Sequence, residues 1–291
     1  MTTAQHLLVF GLGYSGRAIA EAARDAGFTV SGTSRQADFP APSGIRLIAF
    51  EAAAGAIAAA THIVATAAPG EAGDPVLARY AGPIAEAPAL RWIGFLSSTG
   101  VYGDRGGDWV DEQAAPQPTS RRATARRAAE IAWEEMGQAR GTPVDLLRLA
   151  GIYGPGRSAF DDLRAGRARR IDKPGHAFGR IHQADIAQGT LAALQQAERP
   201  AGTRVLNFND DLPAEPAEVV TEAARLLGIE PPPFTPFAQV EAGMTPMGRS
   251  FWAESRRVSS AWTQQALGRR WLYPTYREGL AAILDAERAQ G

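Results

Sequence analysis

Three glycines directly after a short apolar run constrain this chain more than any other feature. In LLVFGLGYSGRAIAEAARDAG, Gly11, Gly13 and Gly16 stand in the G-x-G-x-x-G spacing. The run Leu7 to Phe10 reads as a strand and the alanine-rich stretch after Gly16 as a helix, so the glycines lie at a strand-to-helix turn. Each has a mechanical task there: Gly11 permits the tight turn, Gly13 lets a pyrophosphate approach the backbone, and Gly16 lets helix and strand pack closely. The first amides of the new helix lack intrahelical acceptors and sit at the positive end of its dipole, which suits phosphate. The turn Gly11, Leu12, Gly13, Tyr14, Ser15 and Gly16 is therefore expected to bind a dinucleotide.

The second strand ends in FTVSGTSR. A site for NAD usually places Asp or Glu near that end to hold the ribose hydroxyls. Here Ser34 and Arg35 offer neutral and positive groups that suit a 2′-phosphate, so NADP is the expected cofactor and NAD the alternative. The plainer reading of Arg35 is a solvated loop arginine.

Short apolar runs alternate with helix-forming stretches through the first half, the pattern of repeated βαβ units. Strands are expected at Leu7 to Phe10, Phe28 to Ser34, Ile45 to Phe50, His62 to Thr66, Trp92 to Ser98 and Val144 to Leu149. Helices are expected at Gly16 to Ala26, Glu51 to Ala60, Pro75 to Ala85 and Ser120 to Arg140. Right-handed crossovers then give an α/β fold, a doubly wound parallel Rossmann sheet. Residues 1–154 are expected to form this dinucleotide-binding domain, its core also taking a strand near 205–209. Residues 155–291 would form mainly a smaller substrate-binding region with helices at Ala184 to Gln196 and Pro216 to Leu227. The triplet Pro231, Pro232, Pro233 reads as a linker to a C-terminal helix near Glu278 to Ala289.

Thirty basic against thirty-one acidic residues leave a formal net charge of −1, which removes the global electrostatic reason to expect nucleic acid or an anionic membrane as partner. A small-molecule substrate is the better expectation, and self-association as a homodimer stays open. There is no cysteine, so thiolate chemistry is excluded. The histidines His6, His62, His176 and His182 lack close ligand spacing, so no metal site is expected. No basic segment leads into an apolar stretch and cleavage site, and no apolar run of about 20 residues occurs, so the chain is expected to be cytoplasmic.

Further along, FLSSTGVYGDRGGDWVDE, LLRLAGIYGPGRS, GRIHQADIA and RRVSSAWTQQALGRRWLYPTYREGL follow one another in order. Together they resemble the extended short-chain dehydrogenase/reductase family, in its NAD-dependent epimerase/dehydratase branch, over nearly the whole chain. By register with its VYG signature, the resemblance places Ser98 on the family's catalytic Ser/Thr, whose hydroxyl would meet a substrate oxygen at the nicotinamide. It places Thr66, Ala67 and Ala68 where the family packs small residues against adenosine and ribose, and Ala150, Gly151 and Ile152 on the nicotinamide side.

The chain departs from this family in the next helix. There the family carries Tyr-x-x-x-Lys, the tyrosine acting as general acid/base and the lysine lowering its pKa and holding the ribose. Counting back from Ala129-Glu130, the matching positions are Arg122 and Arg126. A guanidinium does not exchange protons near neutrality, so arginine cannot stand in for tyrosine. Four residues apart, the two arginines could clamp a carboxylate or phosphate, or simply form a solvated basic face. Proton transfer, if it occurs, would fall to Tyr102, Tyr153, His182 or water. The basic run Arg164, Arg167, Arg169, Arg170 either attracts an anionic substrate or is a solvated helix. Two functions fit: an atypical NADP-dependent oxidoreductase or epimerase acting on a small polar or nucleotide-linked substrate, or a non-catalytic NADP-binding or redox-sensing protein.

Overall fold

The computed structural model describes residues 5–36 and 39–290. Its centre is a seven-stranded sheet of β1 (His6–Phe10), β2 (Thr29–Ser34), β3 (Ile45–Ala49), β4 (His62–Ala65), β5 (Trp92–Ser98), β6 (Val144–Leu149) and β7 (Thr203–Phe208). The order is β7-β6-β5-β4-β1-β2-β3 and every pairing is parallel. The expected doubly wound sheet is thus present, and strand order reverses between β1 and β4, where ligands of open α/β sheets settle.

Strand β1 is apolar on both faces because both faces are covered. Leu7 and Val9 of β1 join the core under α1 (Tyr14–Asp25) and the helix Gln183–Leu194. Leu8 and Phe10 point the other way, into the core under α2 (Ala54–Ala59), α3 (Pro75–Glu86) and α4 (Arg121–Arg140). The start of α4 is set by Ser120, whose hydroxyl accepts from the Ala123 amide, and its end by Gly141 in the left-handed region at φ 66°. Both follow from the preferences of helix ends for a hydroxyl before and a glycine after.

Three elements differ from the sequence reading. The stretch expected as one helix from Glu51 to Ala60 divides into a 3₁₀ turn, Phe50–Ala52, and the short α2. Tyr80 breaks the helical geometry of α3 at φ −125°, ψ 15°, with Pro83 three residues on, where proline withholds an amide from the ladder. Beyond the Pro231–Pro233 triplet the chain forms a short strand, Phe234–Pro236, and the helices Phe237–Glu241, Pro246–Ala253 and Ala261–Leu267 before the last helix, Tyr276–Gln290.

Two short parallel pairs shape the region above the sheet. Gly151–Tyr153, directly after β6, pairs with Arg180–His182, and Trp109–Val110 pairs with Arg257–Val258. They hold a loop around residues 177–180 and a strap around residues 254–258 over the C-terminal ends of the strands. The helices Ala159–Arg164, Pro216–Leu227 and Tyr276–Gln290 enclose a separate core with Phe160, Ala223, Leu280 and Ile283. Among the described residues, no helix is long and apolar enough to cross a membrane.

Candidate functional site

The glycine turn is built as its spacing demands. Gly11 has φ +103° and its amide donates to the Thr33 hydroxyl at 3.1 Å. Gly16 lies so close to the turn that an added Cβ would stand 2.0 Å from the Gly11 carbonyl oxygen. A Cβ on Gly13 would meet nothing within 4 Å, so the backbone is bare on the side where α1 begins. Thr66, at the end of β4, donates to the Gly11 carbonyl at 2.7 Å and clips the turn to the sheet.

Two adjoining cavities open here. One, of about 270 Å³, is lined by Gly13, Tyr14, Ser15, Gly16, Thr66, Ala150, Ile152 and Arg157. The other, of about 400 Å³, runs over the ends of β5, β6 and β7 and is lined by Ala68, Gly151, Arg122, Arg180, Asn209, Glu254 and Arg256 among others. Ser98, Arg126, Leu149 and Ala150 border both, so the two form one cleft. Most of the expected site residues therefore converge. Leu12 does not: its side chain is buried against Gly32, leaving only its backbone at the turn. Gly11 and Ala67 support the turn and the core rather than line the cleft. Ser34 and the exposed Arg35 lie outside both cavities, at the end of β2 beside β1, with the Ser34 hydroxyl accepting from the Gln36 amide at 3.0 Å.

Ser98 closes β5, and its Oγ accepts from the Gly100 amide at 3.1 Å. That bond occupies an acceptor and leaves the hydroxyl proton to donate into the cleft. Arg126 is tied to the sheet through one terminal nitrogen. Its Nη1 donates to the Leu96 carbonyl at 2.7 Å, and its guanidinium faces the Phe95 ring at 5.8 Å. Burial lowers its pKa, Arg122 adds to the effect, and Asp74 and Glu130 oppose it. Arg122, one turn earlier, is exposed on the rim of the larger cavity.

None of the three groups considered for proton transfer borders either cavity. Tyr102 is fully buried and donates to Asn207 Oδ1 at 2.8 Å. Tyr153 lines a third cavity of about 350 Å³ among the C-terminal helices, which touches the other two only through Arg157 and Arg180. His182 caps its helix by accepting from the Ala184 amide at 3.1 Å, and burial pushes its pKa down to about 4. Three of the four arginines in the basic run have structural partners, and Arg169 is exposed. Arg164 makes two bonds to Glu287 at 3.1 and 2.6 Å, Arg167 pairs with Asp162 at 3.2 Å, and Arg170 lies 3.8 Å over the Phe234 ring. The only lysine, Lys173, donates to the Trp252 carbonyl and lies 4.4 Å over the Phe237 ring.

The sequence reading missed Arg157, Arg180, Asn209, Glu254 and Arg256. Arg180 stands inside GRIHQADIA and Arg256 just before the strap's Arg257-Val258, so both were within reach of the matched segments. Arg256 Nη1 donates to Glu254 at 2.6 Å and to the Gly103 carbonyl at 2.8 Å. Its other terminal nitrogen approaches Gly100 on the same side as the Ser98 hydroxyl.

No family model matches the chain. It is 40% identical to a functionally unknown conserved protein from Silicibacter pomeroyi DSS, over 97% of this chain and 99% of that one, with a TM-score of 0.86. Protein YeeZ of Escherichia coli (strain K12) is 37% identical over 142 residues, 48% of this chain and 47% of that protein. The chain thus spans about half the length of the curated relatives it matches. MoeE5, solved with UDP-glucuronic acid and NAD, covers 98% of this chain and 100% of its own at 21% identity and a TM-score of 0.80. The human epimerase family protein SDR39U1, solved with NADPH, covers 97% and 99% at 20% identity and a TM-score of 0.74. At these last identities the likeness is one of fold, and the fold is the one the resemblance implied.

Proposed function

We propose that this chain, which belongs to one family with the conserved Silicibacter pomeroyi protein and has the fold of the NAD-dependent epimerases and dehydratases, is an NADP-binding oxidoreductase or epimerase in which arginine stands where a proton-transferring tyrosine would be. The single observation that carries this reading is the cleft: a bare glycine turn and a cavity over the strand ends, sharing Ser98 and Arg126 at their junction.

The residues present fit a dinucleotide. The open space at Gly13 admits a pyrophosphate, and the free amides opening α1 face it. Arg157 borders the same cavity with its guanidinium 5.7 Å from the Tyr14 ring centroid. Ser34 and Arg35 would take the 2′-phosphate end. When bound, the nicotinamide ring donates or accepts a hydride. Ser98 would hold the substrate oxygen by donating its proton, and Arg126, tied to the Leu96 carbonyl, would keep a fixed positive charge beside it. Glu254 is the one carboxylate bordering the cleft among the described residues.

The retreat of Tyr102, Tyr153 and His182 from the cleft favours a second reading, in which the protein binds the nucleotide without turning it over. Calorimetry with NADPH and NADH, followed by NADPH oxidation against a panel of carbonyl compounds, separates the cases. We expect NADPH to bind more tightly than NADH and Arg35→Asp to reverse that preference. No heat with either nucleotide would overturn both readings, and binding without turnover would leave the second.

A further inference from the structure

We propose that the larger cavity is built for an anion, a small compound bearing a carboxylate or phosphate group, held by Arg122 and Arg256 with Arg180 in the wall. The inference rests on the cleft being the substrate side of the dinucleotide site. The three guanidiniums come from separate elements: Arg122 from the first turn of α4, Arg180 from the short strand beside β6, and Arg256 from the strap. Arg126 adds a fourth positive charge at the junction, against the single carboxylate of Glu254.

That carboxylate is already engaged. It accepts from Arg256 at 2.6 Å and from the Thr119 hydroxyl, with only 11% of its side chain exposed. Arg256 keeps its second terminal nitrogen for the cavity, since its bonds to Glu254 and Gly103 both use Nη1. Arg180 is anchored through Nη1 to the Phe178 and Ala214 carbonyls at 2.9 and 3.0 Å and has Asp210 as a charge partner, so it forms part of the cavity's positive wall. Arg122 forms no ion pair among the described residues. Anchored guanidiniums lose little freedom on binding, and converging ones match the planar oxygens of a carboxylate or the face of a phosphate. Positive charges that share a walled cavity and outnumber its carboxylates also raise the local concentration of anions. The Ser98 hydroxyl at the inner end would meet a hydroxyl or carbonyl of the same compound, so the anionic group lies toward Arg122 on the rim.

The test is titration of malonate, and separately of inorganic phosphate, into protein saturated with NADP at constant ionic strength. Saturation keeps the anions off the glycine turn. Wild-type protein should bind at least one of the two, and Arg122→Ala and Arg256→Ala should each weaken binding at least tenfold. Arg121→Ala, at an exposed arginine paired with Glu71 at 2.6 Å, should leave it unchanged. Tighter phosphate binding marks a phosphorylated substrate and tighter malonate binding a carboxylic acid. Because Arg256 also anchors the strap, Arg122→Ala is the deciding variant: it removes a rim side chain without touching a structural contact. NADP binding without anion binding, or anion binding indifferent to Arg122→Ala, overturns the inference and leaves the dinucleotide site standing. Loss of NADP binding itself would instead strike the proposed function.

Discussion

At Gly13 and Gly16 the same missing side chain serves two different ends. A Cβ on Gly16 collides with the Gly11 carbonyl, 2.0 Å away, within the protein itself. A Cβ on Gly13 collides with nothing, and its backbone at φ −71°, ψ −165° is open to any residue. The first glycine is thus required by folding and the second only by what occupies the space beside it. Gly13→Val should therefore melt within a few degrees of the parent yet lose NADPH affinity at least tenfold, about 1.4 kcal/mol. Gly16→Ala should lose about 1 to 3 kcal/mol of stability, because helix and strand must move apart to admit the methyl group. Thermal melts paired with calorimetry check both. A Gly13→Val protein that binds NADPH normally would show that no phosphate approaches this turn.

Helix α4 carries the arginines that distinguish the site, and its position depends on one buried carboxylate. Glu130, with no exposed surface, accepts from Arg148 Nε and Nη2 at 2.9 Å each and from the Ser97 hydroxyl at 2.6 Å. These bonds pin α4 to β5 and β6 beneath the cleft. Arg148, 2% exposed, also lies 4.7 Å over the Tyr102 ring. Glu130→Gln keeps the shape but leaves Arg148 charged and unpaired in the core, and breaking a buried pair from one side costs about 3 to 5 kcal/mol. Urea unfolding should register that loss, and an unchanged midpoint would mean the pair is replaceable. The same helix shows what was legible beforehand. Its bounds and the register from Glu130 back to Arg122 and Arg126 could be read because a long helix repeats its signals. What Arg126 does could not, since the turn of its guanidinium onto Leu96 depends on a strand thirty residues earlier. The strap was equally silent: Arg257–Val258 is a strand of two residues, too short for any periodicity, and Glu254 and Arg256 reach the cleft only through its pairing with Trp109–Val110. The alanine-rich stretch before β4 misled for the opposite reason, because high helix propensity concealed the irregular start at Phe50–Ala52.

Across the whole molecule, the sheet and the C-terminal helices meet at Asp210, and that junction gives the protein a pH dependence of stability. The Asp210 amide donates to the Arg180 carbonyl at 2.6 Å, and the next amide, of Asp211, donates to the Pro274 carbonyl at 2.7 Å. Burial pushes the Asp210 carboxyl up to about 8, with the Arg180 guanidinium pulling it down and Asp211 adding to the rise. In the unfolded chain it would ionise near its ordinary value of 3.8. Between those values the native state keeps a proton that the unfolded state has lost, so stability falls as pH rises through the window. His62 and His182 act in the opposite sense. Burial lowers both from 6.5 to about 4, so the stability they lend is complete above pH 6.5 and is lost as pH falls toward 4. Asp185, raised by burial to about 6, has largely ionised by neutrality. Above pH 7, therefore, Asp210 alone of these four still titrates. The free energy of unfolding should drop by about 1.4 kcal/mol between pH 7 and pH 9, one pKa unit's worth of interaction energy. The same ionisation sets a carboxylate behind Arg180 and should weaken any anion held in the larger cavity. Asp210→Asn cannot ionise and should flatten the profile over that range in urea denaturation at matched ionic strength. A parent profile already flat between pH 7 and 9, or a slope that persists in the asparagine variant, would place the titrating group elsewhere.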